Sequence, residues 1–357
     1  MTEREELKRL LEINPDFRTL PLYIWGTGNT SDLYQEGLKR LENEGYIING
    51  YFDNNASKRG TEYCGKNVCS PDDINDIGNA LFLIASPTPA TIHQIGKQLD
   101  EKGVLWMGID SFVVKTHACE VLSVYDSLED SRSRTIYYEL IKIRVLGNVV
   151  PEHIVDGNQY FFMDFGNASP KEVFVDCGAY VGDSFERYLW TRAGVFNKAM
   201  LFEPDKKNIK AIEKRLNRLK EEWNISDDKV LIYPYGIGDS DSVSYLEKNE
   251  SLNGLSSKLV TGNINDTEEI RVVSLDSFLE DQDTLFIKAD IESYEYKMIL
   301  GLKKTIQKKK PKLAVCIYHN SVDFYSIPLL LKELNPDYRF SVRHYTSNFS
   351  ETVLYAY

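Results

Sequence analysis

The sequence predicts two α/β domains in series, and three observations carry that expectation. Apolar runs of strand length alternate with amphipathic helical stretches twice along the chain. Each series opens with a strand, a glycine turn and a helix, at Gly26–Gly28 and again at Gly178–Gly182. In each, an acidic residue ends the next strand 25 residues beyond a turn glycine: Asp53 after Gly28, Glu203 after Gly178. Such alternation builds a parallel sheet with helices on both faces. A chain of 357 residues is long enough for two cores.

The first domain is expected over residues 1–118. Residues 2–13 read as a short amphipathic helix, with Thr2 and Glu5 at capping-box spacing and Leu7, Leu10 and Leu11 on one face. Strands follow at 22–25, 47–52, 80–85 and 104–109, and helices at 32–43 and 89–102. Residues 119–171 lack this alternation. They read as a connecting helical segment packing on the second domain, with a helix at 130–146 and an aromatic stretch, Gln159 to Met163, behind it.

The second domain is expected over residues 172–357. Its strands fall at 173–176, 199–202, 230–233, 284–289 and 313–318, with added strands at 242–246 and 269–273. Helices are expected at 183–190, 206–223, 294–306 and 326–334. Asp183 and Glu186 would form a capping box, and Pro328 would sit in the first turn of the last helix. Two alternating runs, 338–345 and 351–357, read as a terminal hairpin.

A formal net charge of −12 argues against nucleic acid or an anionic membrane surface as partner. The N-terminal stretch has no signal-peptide core and no stretch is long and apolar enough to span a bilayer, so a cytoplasmic location is expected. Cys64, Cys69, Cys119, Cys177 and Cys316 are scattered and odd in number, which predicts unpaired thiols.

The central motif is Val-Phe-Val-Asp176-Cys177-Gly178-Ala179-Tyr-Val-Gly182-Asp-Ser184. Glycine lets a backbone approach a ligand closely, and amides at a helix start can bind a carboxylate. The next strand ends at Phe-Glu203-Pro204, where an acid can accept both hydroxyls of a ribose.

Residues 172–357 resemble the FkbM family of methyltransferases, which has the class I S-adenosylmethionine (SAM)-binding fold. The matching blocks are 175–184, Phe-Glu203-Pro-Asp-Lys-Lys-Asn208, Tyr235-Gly236-Ile237-Gly-Asp239, Val273-Ser-Leu-Asp276 and Ile287-Lys-Ala-Asp290-Ile-Glu292. Where the family pattern continues Gly-Ala-Glu, this chain has Ser293-Tyr-Glu295. The resemblance implies that Asp176, Cys177, Gly178, Ala179, Gly182 and Ser184 line the methionine half of SAM. It implies that Glu203 and Pro204 hold the ribose, that Tyr235, Gly236 and Ile237 flank the adenine, and that Asp290 faces the methyl group and acceptor. The terminal hairpin suits the fold, whose last strand runs antiparallel to the others.

A hydroxyl acceptor must lose a proton as it takes the methyl group, so a base near the site helps. Asp290, Glu292 and His319 are the candidates, with His344 behind them. Asp290, Glu292 and His319 also match an oxygen/nitrogen metal set, although the adopted reading is metal-free. The expected activity is O-methylation of a hydroxyl on a sugar, nucleotide-sugar or related small molecule, in polysaccharide or natural-product synthesis. That substrate class comes from the resemblance.

In the first domain, Gly26, Gly28 and Asp53 form a partial dinucleotide fingerprint, with Ser31 at the third glycine position. The segment from Gly50 to Pro71 resembles the N-terminal, nucleotide-sugar-binding domain of bacterial sugar acyltransferases. This domain either holds a nucleotide-linked sugar or is a scaffold that helps form a homo-oligomer. Alternative readings of the whole chain are a nicotinamide-dependent oxidoreductase and a non-catalytic nucleotide-sugar-binding protein.

Overall fold

The computed structural model describes residues 2–28, 34–162, 168–248, 257–260 and 267–357. The third glycine position at Ser31 and the expected Met163 lie outside the described residues. The chain divides into two compact units. The first comprises Met1–Val155 with Tyr318–Tyr325 and Thr346–Ser350, and the second comprises Asp156–Ile317, Ser326–Tyr345 and Glu351–Tyr357.

In the first unit, α1 (Glu3–Leu10) carries the expected capping box between Thr2 and Glu5. Then come β1 (Leu22–Trp25), α2 (Gln35–Asn43), β2 (Ile48–Phe52), β3 (Glu62–Tyr63), β4 (Lys66–Cys69), β5 (Leu81–Ile84), α3 (Pro89–Lys102) and β6 (Leu105–Gly108). The sheet order is β3-β4-β2-β1-β5-β6. All neighbours are parallel except the β3–β4 hairpin, which the sequence reading did not include. Trp25, Phe52, Phe82 and Ile84 form the centre of its core.

Helices α4 (Ile109–Thr116), α5 (Ala118–Ser127) and α6 (Ser131–Leu146) follow. Asp130 caps α6 by accepting from Ser133 N at 2.8 Å, and Gly147 ends it with a left-handed φ of 64°. Helix α6 packs on α1 and α4, and α5 packs on α1. The expected connecting segment therefore divides. Its helices complete the first unit, whereas residues from Asp156 onward belong to the second.

The second unit contains β7 (Val173–Cys177), α7 (Asp183–Thr191), β8 (Lys198–Phe202), α8 (Lys206–Trp223), β9 (Val230–Tyr233), β10 (Gly236–Ile237), β11 (Ser242–Lys248), β12 (Ser257–Val260) and β13 (Thr267–Val273). It continues with β14 (Leu285–Ala289), α9 (Glu295–Leu300), α10 (Lys303–Lys309) and β15 (Lys312–Cys316). Helix α11 (Asp323–Leu334) and strands β16 (Phe340–His344) and β17 (Thr352–Ala356) close the chain. The main sheet has the order β16-β17-β15-β14-β7-β8-β9. Strands β15, β14, β7, β8 and β9 are parallel, and β17 runs antiparallel between β15 and β16. A smaller sheet has the order β10-β13-β11-β12.

The central strands are apolar runs because helices cover both faces; β7, β14 and β17 are buried along their whole length. Phe174 stacks on Tyr188 at 4.3 Å between ring centroids, and Phe161 meets Phe286 edge-on at 5.8 Å. Three local expectations are corrected. Glu186 does not cap α7; it binds Arg215 at 2.7 Å and Arg218 at 2.6 Å, and Gly182 caps α7 without a side-chain bond. The expected helix 294–306 is two helices, because the Gly301 carbonyl is drawn off to Ser274 Oγ (2.7 Å) and Asp276 N (3.0 Å). Pro328 lies inside α11, not in its first turn. Proline cannot donate back to the carbonyl four residues earlier, and that carbonyl, of Phe324, accepts from Tyr137 Oη at 3.2 Å instead.

Candidate functional site

In an open parallel sheet, ligands bind beyond the carboxyl ends of the strands where the strand order reverses. In the second unit that place lies between β7 and β14, where Asp290 N donates to Cys177 O at 3.1 Å. Gly178 follows with φ 78°. A Cβ there would lie 1.9 Å from Asp290 O, so only glycine fits between the two strand ends. Tyr180 (φ 47°) and Gly182 (φ 79°) continue the left-handed path into α7.

The turn uses most of its own amides. Gly178 N and Ala179 N both donate to Phe202 O at 3.0 Å, and Gly182 N donates to Ala179 O at 2.7 Å. Tyr180 N donates to Glu203 Oε2 at 2.9 Å. The first amides of α7 have no side-chain cap; these are the groups that suit a carboxylate.

Asp176 and Ser184 lie beneath the turn. Asp176 is fully buried; its Oδ2 accepts from Ser184 Oγ at 2.7 Å and its Oδ1 lies 3.0 Å from Lys288 Nζ. Burial pushes the Asp176 carboxyl up, against the pull of Lys288 and Ser184. Burial alone would lower Lys288, but Asp176 and then Asp290 outweigh it and hold the ammonium above its ordinary value. Cys177 is fully buried too, which pushes its thiol up.

Glu203 follows β8 and is buried. Its Oε1 accepts from Asp205 N at 2.9 Å and Asn208 Nδ2 at 3.3 Å, and its Oε2 accepts from Tyr180 N. Burial outweighs these bonds and raises its pKa to about 7. A carboxylate oxygen has two acceptor sites. Oε1 is thus filled by protein donors and Oε2 keeps one site, enough for one ribose hydroxyl where the sequence suggested two. Pro204 is half-buried beside it. Beyond β9, Tyr235 is half-buried with its ring 5.1 Å from the Arg271 guanidinium, while Gly236 and Ile237 are buried in β10.

Asp290 is half-buried at the end of β14, and its Oδ2 accepts from Tyr160 Oη at 2.8 Å. Glu292 is half-buried two residues on with φ 53°, and Ser293 follows with φ 77°. Ser293 is the departure from the family's glycine, and it stands where the backbone is left-handed. The next acid, Glu295, is fully buried and accepts from Ile291 N at 2.8 Å, so it shapes the turn. His319 lies in Tyr318–Tyr325, the segment that clusters with the first unit, with its ring 4.1 Å from that of Tyr318. His344 is fully buried in β16 and bonded to Thr352 Oγ1 at 2.8 Å, which suits a core role. Lys288 and Tyr160 are not among the candidates expected from the sequence. A lysine inside the apolar run of β14 was the available signal for the first.

In the first unit, a cavity of ≈ 220 Å³ lies at the carboxyl ends of β1, β2 and β5 and is lined by Gly26, Thr27, Gly28, Asp53, Ser86 and Thr88 among others. Asp53 is already engaged. Its Oδ2 accepts from Thr27 N (3.1 Å), Thr27 Oγ1 and Lys58 Nζ (3.2 Å), and its Oδ1 accepts from Asn55 N (2.8 Å). Burial would raise this carboxyl, but the bonds from Thr27, Asn55 and Lys58 prevail and lower it. None of the five cysteines forms a disulfide. No helix among the described residues is long and apolar enough to cross a membrane.

The second unit's strand order, antiparallel penultimate strand and glycine turn are those of a class I methyltransferase fold. Residues 176–340 match the Methyltransferase FkbM domain. The whole chain is similar in fold to the methyltransferase FkbM from Methylobacillus flagellatus KT. The two are 19% identical, with a TM-score of 0.58 over 99% of this chain and 97% of that one. More distant matches include an rRNA methylase from Streptococcus thermophilus (13% identical, TM-score 0.31, 53% of this chain and 87% of that one). Another is a SAM-dependent methyltransferase from Aquifex aeolicus (14%, TM-score 0.29, 54% and 85%). No curated protein matches the chain in sequence.

Proposed function

We propose that this methyltransferase acts on a hydroxyl of a sugar or related small molecule, with Asp290 as the base. The observation that carries the reading is that the Asp290 backbone ends β14 against the Gly178 turn, with its carboxylate held by Tyr160 Oη. The family resemblance supports the sugar class. SAM brings an electrophilic methyl group on a sulfonium. The first amides of α7 would hold its carboxylate, Glu203 Oε2 would take one ribose hydroxyl, and Tyr235 would lie along the adenine. Asp290 would accept the proton as the acceptor oxygen bonds to the methyl carbon and the carbon–sulfur bond breaks, its electrons passing to sulfur. Alignment supplies most of the rate and the base adds to it.

In the first unit Thr27 and Lys58 fill Asp53 Oδ2 and Asn55 N takes one site of Oδ1, which leaves one acceptor site where a dinucleotide-reading acid offers a ribose two. Transfer of labelled methyl from SAM to a panel of monosaccharides and nucleotide-sugars tests the reading. Asp290→Asn is expected to lower turnover by about a hundredfold with little change in SAM affinity. Labelling of no sugar in the panel would refute the acceptor class, and full turnover in the variant would refute the base.

A further inference from the structure

Lys288 is 3% exposed in the middle of β14, in the run Leu-Phe-Ile-Lys-Ala. Its ammonium donates to Gly178 O at 2.6 Å, lies 3.0 Å from Asp176 Oδ1, and stands 3.5 Å from Cys177 O. Asp176 in turn receives Ser184 Oγ. One ion pair thus grips the glycine turn at both ends, at Gly178 where it leaves β7 and at Ser184 in the first turn of α7. The ring of Tyr160, whose hydroxyl binds Asp290, covers the ammonium at 5.3 Å.

Stability is a weak reason for such a pair. Replacing a buried ion pair with apolar groups of similar volume is often neutral or stabilising. What the pair does supply is direction. The turn carries three left-handed residues within five positions, Gly178, Tyr180 and Gly182, and a three-donor ammonium is suited to fixing a carbonyl and a carboxylate together. We propose that Lys288 is a positioning residue for the methionine half of the cofactor, acting through the Gly178 carbonyl and the Asp176 carboxylate to aim the first amides of α7. The proposal rests on the reading above that those amides hold the cofactor's carboxylate.

The test compares two ligands on the full chain by calorimetry: S-adenosylhomocysteine (SAH), and adenosine, which lacks the methionine half. The double variant Asp176→Asn/Lys288→Met removes both charges, so neither is left buried alone. Thermal melts establish that it folds. SAH binding is expected to weaken about tenfold, the scale of one lost hydrogen bond to a charged group, while adenosine binding stays within about twofold. If the double variant does not fold, Lys288→Arg carries the same comparison. It keeps the charge beside Asp176 but presents a planar fork in place of the compact ammonium. Unchanged SAH affinity would overturn the proposal, as would an equal loss for both ligands. A wild type that binds SAH no better than adenosine would instead overturn the reading of the α7 amides.

Discussion

Lowering the pH from 8 to 6 should weaken adenosine and SAH binding about tenfold, and Glu203 should be the cause. Its carboxyl titrates near pH 7 because burial disfavours the charge more than its three donors favour it. At pH 8 about nine-tenths of the chains carry the carboxylate, and at pH 6 about one-tenth. A ribose hydroxyl donating to Oε2 favours the charged form. Binding therefore pulls the pKa down, and affinity rises with pH through the neutral range. Tenfold is the full effect if only the ionised form takes the ribose. Calorimetry at the two pH values measures it, and Glu203→Ala, which cannot titrate, should bind weakly with no such slope. A flat wild-type profile, or the same slope in Glu203→Ala, would refute the reasoning.

Three further outcomes are expected. Gly178→Ala should abolish cofactor binding and cost roughly 3 kcal/mol or more in urea unfolding, since its Cβ meets the Asp290 carbonyl and its φ is positive; binding near the wild-type level would contradict this. Ser293→Gly should stabilise the chain by roughly 0.5 kcal/mol, because a left-handed backbone costs a residue with a side chain about 1 kcal/mol and glycine's chain entropy returns about half. A lower melting temperature would contradict it. Arg192→Met should cost about 3 kcal/mol in the same unfolding assay, because Arg192 Nε lies 2.9 Å from Glu172 Oε1 and both side chains are buried. A loss under about 1 kcal/mol would place the pair among surface-like bridges.

The main strands and the long helices were legible because burial on two faces and burial on one stripe each leave a local pattern. Helices Pro89–Lys102 and Lys206–Trp223 have the bounds that their apolar spacing and end residues suggested. The β3–β4 hairpin was not legible: Glu62–Tyr63 and Lys66–Cys69 are too short for alternation to show. The break at Gly301 was hidden because its cause, Ser274 and Asp276, lies about 25 residues away. The site shows the same division. Gly178 and Glu203 sit at places that strand ends and spacing could mark. The Asp176–Lys288 pair joins residues 112 positions apart (288 − 176), and the Tyr160–Asp290 bond joins residues 130 apart. Neither pairing leaves a local trace; the lysine within the apolar run of β14 marks only one member. The side-chain bonds that occupy Asp53 and fill one oxygen of Glu203 also became visible only in three dimensions.

The central claim is that the second unit takes a methyl donor. Calorimetry on the wild-type chain with SAM, SAH and NAD tests it directly. The account predicts saturable binding of SAM and SAH, lost or much weakened in Glu203→Ala, and no binding of NAD. A chain that takes NAD and neither of the other two would contradict it.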